Sequence, residues 1–391
     1  MVKRQFWLHQ VERSWRHRSI VWLRGVRRVG KTCLAQSLAN IEYFDCELPR
    51  VRRALEDPEA FLERLRGKRV VLDEVHRLPH PSELLKIAAD HFPTVLILAT
   101  GSSTLGASSR FRDTLAGRKS DIWLTPMIDA DLTSFNRLDL PHRLLHGGLP
   151  PFFLEKDLPE RDFQEWMDAF WAKDILELFR LERRTSFQRF VELLMAQSGG
   201  IFEATKFAVP CEVSRTTITN YLAVLEATTV AIVLRPFSSR RSNEIVTAPR
   251  IYGFDTGFVC AHRGWTSLRP EDLGRLWEHY VLNELTANLQ TAGLRYWRDK
   301  QGHEVDFLWA PRGRNPSAIE CKWSMRDFDP ANLLVFARAY PKAELMVVAP
   351  DAHPAFTRDY HGVRVEFLTL DLLVKRITRS QPHGESRPEA R

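Results

Sequence analysis

Through residues 1–130 short apolar runs alternate with amphipathic stretches. Ser19–Leu23, Ile41–Glu47, Arg69–Val75, Thr94–Thr100 and Asp121–Leu124 each read as a short strand bounded by polar or turn residues. Between them, Lys31–Ala39 and Pro58–Arg66 carry apolar residues at helical spacing. Strands that alternate with helices predict an α/β fold with a parallel sheet covered on both faces.

The pattern then changes. Asp131–Arg184 turns helical, with apolar residues at a helical period over Phe163–Phe179. Three short helices follow between Phe187 and Leu225, and Ser214 is placed to cap the last of them. Two strands, Val230–Phe237 and Glu244–Phe254, flank a polar, basic tip over residues 238–243. Helices followed by a basic-tipped hairpin predict a winged helix. Beyond it the spacing predicts a long helix over Gly274–Ala292 and a meander of Arg295–Arg298, His303–Trp309 and Ala318–Trp323. A helix over Pro330–Ala339, strands Glu344–Val348 and Val363–Leu368, and a helix from Asp371 complete the pattern. The expected organisation is a core over 1–130, a helical lid over 131–184, a winged-helix-like region over 185–254 and an α/β domain over 255–377. Residues 378–391 are polar, contain Pro and Gly, and are expected to be disordered.

Composition narrows the class. Of 391 residues 44% are hydrophobic and 27% charged, which excludes wholesale disorder. No apolar run approaches the ~18 residues of a membrane helix, so no membrane partner is expected. The first residues lack the unbroken apolar core of a secretory signal. Cys33, Cys46, Cys211, Cys260 and Cys321 are irregularly spaced, which fits neither a disulfide framework nor a CxxC zinc site. These observations together predict a reduced, cytoplasmic protein. The net charge of +7 suits a nucleic-acid partner. Arginine outnumbers lysine 44 to 12, however, and genome base composition alone can produce that bias.

The most specific chemistry lies in Gly25-Val-Arg-Arg-Val-Gly-Lys-Thr32, which matches GxxxxGK[ST] after a predicted strand and before a predicted helix. Backbone N–H groups of Gly25, Val26, Arg27, Arg28, Val29, Gly30 and the helix start through Cys33 are expected to cradle the phosphates of ATP. Lys31 is expected on the β- and γ-phosphates and Thr32 on Mg²⁺. Asp73 and Glu74 end the apolar run RVVLDEV. There Asp73 is expected to hold Mg²⁺ and Glu74 to polarise the attacking water; a strand-end cap is the ordinary alternative. Thr100 and Ser102 end the next run and are candidates to sense the γ-phosphate, although turns favour the same residues. Arg118 is a candidate arginine finger on a neighbouring subunit of a homo-oligomer, or else a plain surface arginine.

A second set lies downstream. Glu304 and Asp306 share one face of a predicted strand, and Glu320 and Lys322 share one face of the next. If the turn over residues 311–316 sets these faces side by side, Asp306 and Glu320 offer a site for a second Mg²⁺ or Mn²⁺, with Lys322 orienting water. Glu278 on the upstream helix is a further acidic ligand. A solvated strand face with cross-strand charge pairs gives the same pattern. Arg215, Thr216 and Asn220 on the capped helix are candidates for a DNA major groove, and Arg240 and Arg241 for the minor groove or phosphates. A winged helix also serves plain domain packing.

Taken together, GVRRVGKT, VVLDEVH, LATGSS, LAGRKSDIWLTPM, GGLPPF, SRTTITNYLAVLEAT, RIYGFDTG, LWEHYVLNEL, YWRDKQGHEVDFLW and AIECKWS resemble a family of bacterial and archaeal AAA-type ATPases. Its members join a P-loop domain to a C-terminal domain related to the PD-(D/E)xK nucleases. The resemblance runs from Gly25 to about Leu372. It implies ATP binding at Gly25–Thr32 and Mg²⁺-dependent hydrolysis with Asp73 and Glu74. It also implies nuclease-like positions at Glu278, Asp306, Glu320 and Lys322. No sensor 2 arginine is identified. The expected function is ATP turnover coupled to DNA binding or cleavage; the alternative is a nucleotide-gated switch whose C-terminal domain is a non-cleaving docking module.

Overall fold

The computed structural model describes residues 2–101, 109–136, 139–158, 160–176, 183–237, 248–291 and 293–379. Five of the predicted strands form one parallel sheet. They are β1 (Ile20–Arg24), β2 (Ile41–Asp45), β3 (Arg69–Asp73), β4 (Leu96–Thr100) and β5 (Lys119–Trp123), in spatial order β2-β3-β4-β1-β5. β1 pairs in parallel with β4 on one side and with the edge strand β5 on the other. Its first four residues are buried, as a strand covered on both faces requires. The helix Gln5–Trp15, for which the sequence reading had no counterpart, buries Trp7, Val11 and Trp15. The fully buried Trp22 packs against Phe111 with ring centroids 4.9 Å apart. Each such buried side chain stabilises the fold by about 1.5–3 kcal/mol.

Nine further strands make a second sheet. They are β6 (Gly200–Ile201), β7 (Ala231–Pro236), β8 (Arg250–Gly253), β9 (Leu294–Arg298), β10 (Glu304–Trp309), β11 (Ser317–Cys321), β12 (Glu344–Val348), β13 (Phe356–Tyr360) and β14 (Val363–Leu368). The expected meander is present: β10 pairs antiparallel with both β9 and β11. β11, β12 and β14 are parallel, and β13 returns as a hairpin on β14. The helix Pro270–Leu289 lies over β11 and is anchored by Trp277, whose indole N–H donates to Val348 O at 3.1 Å.

The described residues divide into two compact units. One comprises residues up to Ser198, Ala204–Ile232 and Gly253–Ser267; the other comprises Gly199–Glu203, Val233–Tyr252 and the chain from Leu268. This division differs from the four segments expected from sequence. The helices of 131–198 and 204–227 fold with the ATPase-like sheet. The strands expected to form a separate wing continue instead into the nine-stranded sheet, because β7 pairs in parallel with β9.

Local differences have local causes. The run expected as strand to Val75 ends at Asp73, because Glu74 adopts a left-handed backbone (φ 54°) and Val75–Arg77 close a 3-10 turn. The helix expected through Phe179 becomes a π turn over Trp171–Ile175. Lys322 lies just past the end of β11 rather than within it. The hairpin tip with Arg240 and Arg241, the candidate sensor Ser102 and the tail from 380 lie outside the described residues. Among the described residues no helix is long and apolar enough to cross a membrane, and the cysteines form no disulfide.

Candidate functional site

The loop between β1 and the helix Lys31–Gln36 sits at the C-terminal end of an interior strand, the end of an open parallel sheet at which ligands bind. Gly25 is required there. A Cβ on it would lie 2.5 Å from the carbonyl oxygen of Leu124 at the end of β5, closer than any side chain tolerates. Val26 and Val29 are buried and moor the loop, whereas Arg28 is exposed.

Three side chains from distant segments anchor the loop, two at its backbone and one at the Arg27 side chain. Arg4 Nη1 donates to Val29 O at 2.9 Å. Trp166 Nε1 donates to Arg27 O at 2.9 Å. The Arg27 guanidinium pairs with Asp174 at 3.3 Å. Asp174 lies on the π turn, a distortion frequent at functional sites. That turn brings both Lys173 and Asp174 to the cavity wall.

The cavity has a volume of about 660 Å³, within the range of small-ligand sites. Arg27, Arg28, Gly30, Lys31, Thr32 and Cys33 line its loop end. Glu74 and His76 line the side next to β3. Phe135, Pro150, Pro151 and Leu154 make an apolar wall. Lys31 Nζ donates to Gly25 O at 2.8 Å and Val26 O at 3.2 Å, so the ammonium rests on the carbonyls of its own loop. Burial lowers the Lys31 pKa from its ordinary value, and the charges of Glu74 and Asp174 offset this only in part.

At the end of β3 the two acids diverge. Asp73 is buried and accepts from Tyr43 OH at 2.6 Å and from the Thr100 hydroxyl. Thr100 Oγ1 also accepts from the Glu74 backbone N–H at 3.2 Å. The residue expected to sense phosphate therefore ties β4 to the Asp73–Glu74 peptide. Burial and the Asp73 carboxylate raise the Tyr43 pKa. Glu74 turns into the cavity, and its Oε2 lies 3.1 Å from His76 Nδ1. Burial would raise the Glu74 pKa, but the hydrogen bond from His76 and the charge of Lys31 outweigh it and hold the pKa below the ordinary carboxylate value. Glu74 is thus ionised, as a base must be. Its left-handed backbone is uncommon for a residue with a side chain and turns the carboxylate away from the path of Asp73. Thr32 and Glu74 line the cavity, with Asp73 buried behind them at the strand end, a set of oxygen donors that suits a hydrated Mg²⁺ on a nucleotide.

Arg118 lies outside this cavity and pairs with Asp90 at 2.7 Å. The motif residues of GGLPPF and RIYGFDTG meet elsewhere in the same unit. Gly148 N–H donates to Asp255 Oδ2 at 2.6 Å, and Arg143 donates to Met127 O and Thr256 Oγ1. These contacts build structure, whereas Pro150 and Pro151 of GGLPPF line the cavity. Arg4, Tyr43, His76, Lys173 and Asp174 were not found by sequence reasoning. His76 ends the quoted VVLDEVH but was given no role there, the other four lie in no quoted motif, and Arg4 precedes the first strand with no periodicity to mark it.

In the second unit the expected carboxylates do converge. Continuing the β10–β11 register by one residue sets Asp306 opposite Glu320. The β9–β10 register slips between Val305 and Leu308, around Asp306. Such irregularities re-aim side chains. Lys322 Nζ donates to Glu320 Oε1 at 3.0 Å. Burial would lower the Lys322 pKa, but the charges of Glu320 and Asp306 raise it. Burial, followed by the charge of Asp306, pushes Glu278 up to about 7 and Glu320 up to about 8.

A metal does not fit the set as it stands. Arg250, at the start of β8, places its guanidinium among the acids, 3.1 Å from Glu278, 3.3 Å from Asp306 and 2.9 Å from Glu304. Among the described residues no group of three His, Cys, Asp or Glu is arranged to hold a metal ion. Of the residues expected to hold a second Mg²⁺ or Mn²⁺, Glu278 and Asp306 pair with Arg250, and Glu320 pairs with Lys322.

On the capped helix Arg215–Ala227, Ser214 Oγ accepts from Thr217 N at 3.1 Å, as expected of an N-cap. Arg215, Thr216 and Asn220 are exposed.

Residues 17–131 match the family of the AAA domain. Residues 137–269 and 273–368 match two domains of unknown function, DUF8612 and DUF4143. Uncharacterized proteins of Mycobacterium bovis and Mycobacterium tuberculosis are each 29% identical over 339 residues, 82% of this chain and 74% of theirs. Among solved structures, a Walker-type ATPase of Pyrococcus abyssi is 18% identical over 67% of this chain and 96% of that one, with a TM-score of 0.45. The McrB AAA+ hexamer with bound McrC of Thermococcus gammatolerans is 10% identical over 66% of this chain and 78% of that one, with a TM-score of 0.26. The segment 17–131 of the first unit is thus an AAA-type domain, and the cavity lies at its GxxxxGK[ST] loop.

Proposed function

We propose that this chain hydrolyses Mg²⁺-ATP and uses the turnover to control engagement of DNA. The observation that carries the reading is the shared cavity of Lys31, Thr32 and an ionised Glu74 at the C-terminal end of β1. Phosphate oxygens offer Lys31 Nζ a full negative charge, which draws it from the Gly25 and Val26 carbonyls. Backbone N–H groups at the start of the helix stabilise the same phosphates. Thr32 and Asp73 are the residues that would hold Mg²⁺, which would supply positive charge against that developing on the β- and γ-oxygens. Glu74, oriented by His76, takes the proton of the attacking water.

Support for DNA is more indirect. The chain order helix, β6, two helices, β7, β8 supports a winged-helix reading, although β7 and β8 belong to the nine-stranded sheet. Its last helix exposes Arg215, Thr216 and Asn220. For the C-terminal unit, Arg250 among the acids favours the non-cleaving docking module over a nuclease. Arg118 acts as a finger only if the chain forms a homo-oligomer, which sedimentation with and without ATP tests.

Phosphate release by the purified chain is the decisive assay. Wild type should turn over ATP with Mg²⁺. Lys31→Ala should lose about 10²–10³-fold, the scale of removing a charge-stabilising donor. Affinity for duplex DNA should fall steeply with salt and weaken in Arg215→Ala. No nucleotide binding sinks the ATPase reading. Turnover without salt-dependent DNA binding moves the partner to a protein.

A further inference from the structure

The acids of the second unit are arranged around one guanidinium. Arg250 Nη1 alone lies within hydrogen-bond reach of Glu278 Oε1 (3.1 Å), Asp306 Oδ1 (3.3 Å) and Tyr252 OH (3.4 Å). Nη2 lies 2.9 Å from Glu304 Oε1. The arginine side chain is 6% exposed, and its guanidinium carbon is 5.5 Å from the centre of the Tyr296 ring. Nothing about it is a loose surface pairing.

The remaining oxygens are largely committed. Asp306 Oδ2 accepts the Cys321 backbone N–H at 2.9 Å. Glu278 Oε1 also accepts the Tyr252 hydroxyl. Glu320 Oε1 takes Lys322. Glu320 Oε2 is buried without a partner. A divalent ion bridging Glu278 and Asp306 needs oxygens at about 2.0–2.6 Å, and it would have to sit where Nη1 now sits. Cation and guanidinium exclude each other by both volume and charge.

We propose that Arg250 is the resident cation of this carboxylate site: it closes the site to divalent metal, and removing it opens one. The inference rests on the docking-module reading of the C-terminal unit and adds the physical cause, a side chain in place of an ion. Four acids from three elements, β10, β11 and the helix Pro270–Leu289, are gathered with three cations, Arg250, Lys322 and, at the edge on Glu304, Arg298; Arg250 is the one positioned between acids of different elements.

The test is Mn²⁺ titration of the nucleotide-free full chain, followed by loss of the free-ion electron paramagnetic resonance signal. Wild type and Asp306→Asn should bind alike. Arg250→Met should gain one Mn²⁺ per chain with at least about tenfold higher affinity, and Arg250→Met/Asp306→Asn should lose it. Arg250→Lys, which keeps a cation, should gain none. Wild-type Mn²⁺ binding that disappears in Asp306→Asn overturns the proposal, and so does a folded Arg250→Met that gains no ion. If Arg250→Met fails to fold, the comparison of wild type with Asp306→Asn decides alone. Plasmid cleavage is read separately: nicking by wild type removes the docking-module reading, whatever the titration shows.

Discussion

Arg4 donates to the carbonyl of Val29, 25 positions away and inside the phosphate loop. The same guanidinium forms a two-pronged pair with Asp131, Nε to Oδ1 at 2.9 Å and Nη2 to Oδ2 at 2.6 Å. Asp131 has no solvent exposure and also accepts from Trp7 Nε1 at 3.1 Å. The segment before the first strand is therefore a structural part of the nucleotide loop. Arg4→Ala leaves a buried carboxylate uncompensated and should cost about 3–5 kcal/mol of stability, read as a lower urea midpoint. Nucleotide affinity should fall with it, since the loop loses one of its three anchors.

Glu74 and His76 make a second prediction. Glu74→Gln removes the base and should lower turnover about 10²–10⁴-fold, with nucleotide binding retained in a fluorescent-nucleotide titration. In His76→Ala the hydrogen bond that holds the Glu74 pKa down is gone, while the burial that raises it stays. The acid limb of the rate-against-pH curve should move to higher pH. An unmoved limb with a merely lower rate would leave His76 a packing residue.

Gly147 has a left-handed backbone (φ 85°), and a Cβ there would lie 2.0 Å from Asp255 Oδ1. Asp255 in turn accepts from Gly148 N and Gly257 N. Gly147→Ala should destabilise the first unit by more than the ~1 kcal/mol typical of a point substitution, because strain and a disrupted buried carboxylate add. The thermal midpoint of the ATPase activity is the readout.

The acids of the second unit predict a pH dependence of stability. Glu278 and Glu320 are raised from 4.5 to about 7 and about 8 by burial first and Asp306 second. The folded chain keeps protons there that the unfolded chain has released. Their contribution therefore weakens as pH rises from about 4.5 to about 8 and levels off above that. Urea midpoints across this window should fall with pH, and the fall should be shallower in Glu320→Gln.

The parallel sheet, the phosphate loop and the acids after β3 were legible in the chain, because each is written locally: apolar runs of strand length, glycines at fixed offsets and a carboxylate pair at a strand end. The meander carrying Asp306 and Glu320 was legible for the same reason, through alternation and turn residues. Tertiary structure alone decided what those groups do. Thr100 sits where a sensor was expected, but its hydroxyl is used by Asp73 and the Glu74 N–H. Strands expected as a separate wing pair into the large sheet, since a free edge accepts whatever strand the fold brings to it. Arg250 was one arginine among 44, with nothing local to single it out. Only long-range packing set it between Glu278 and Asp306, because the cost of burying acids together is met by whichever cation the fold places within reach.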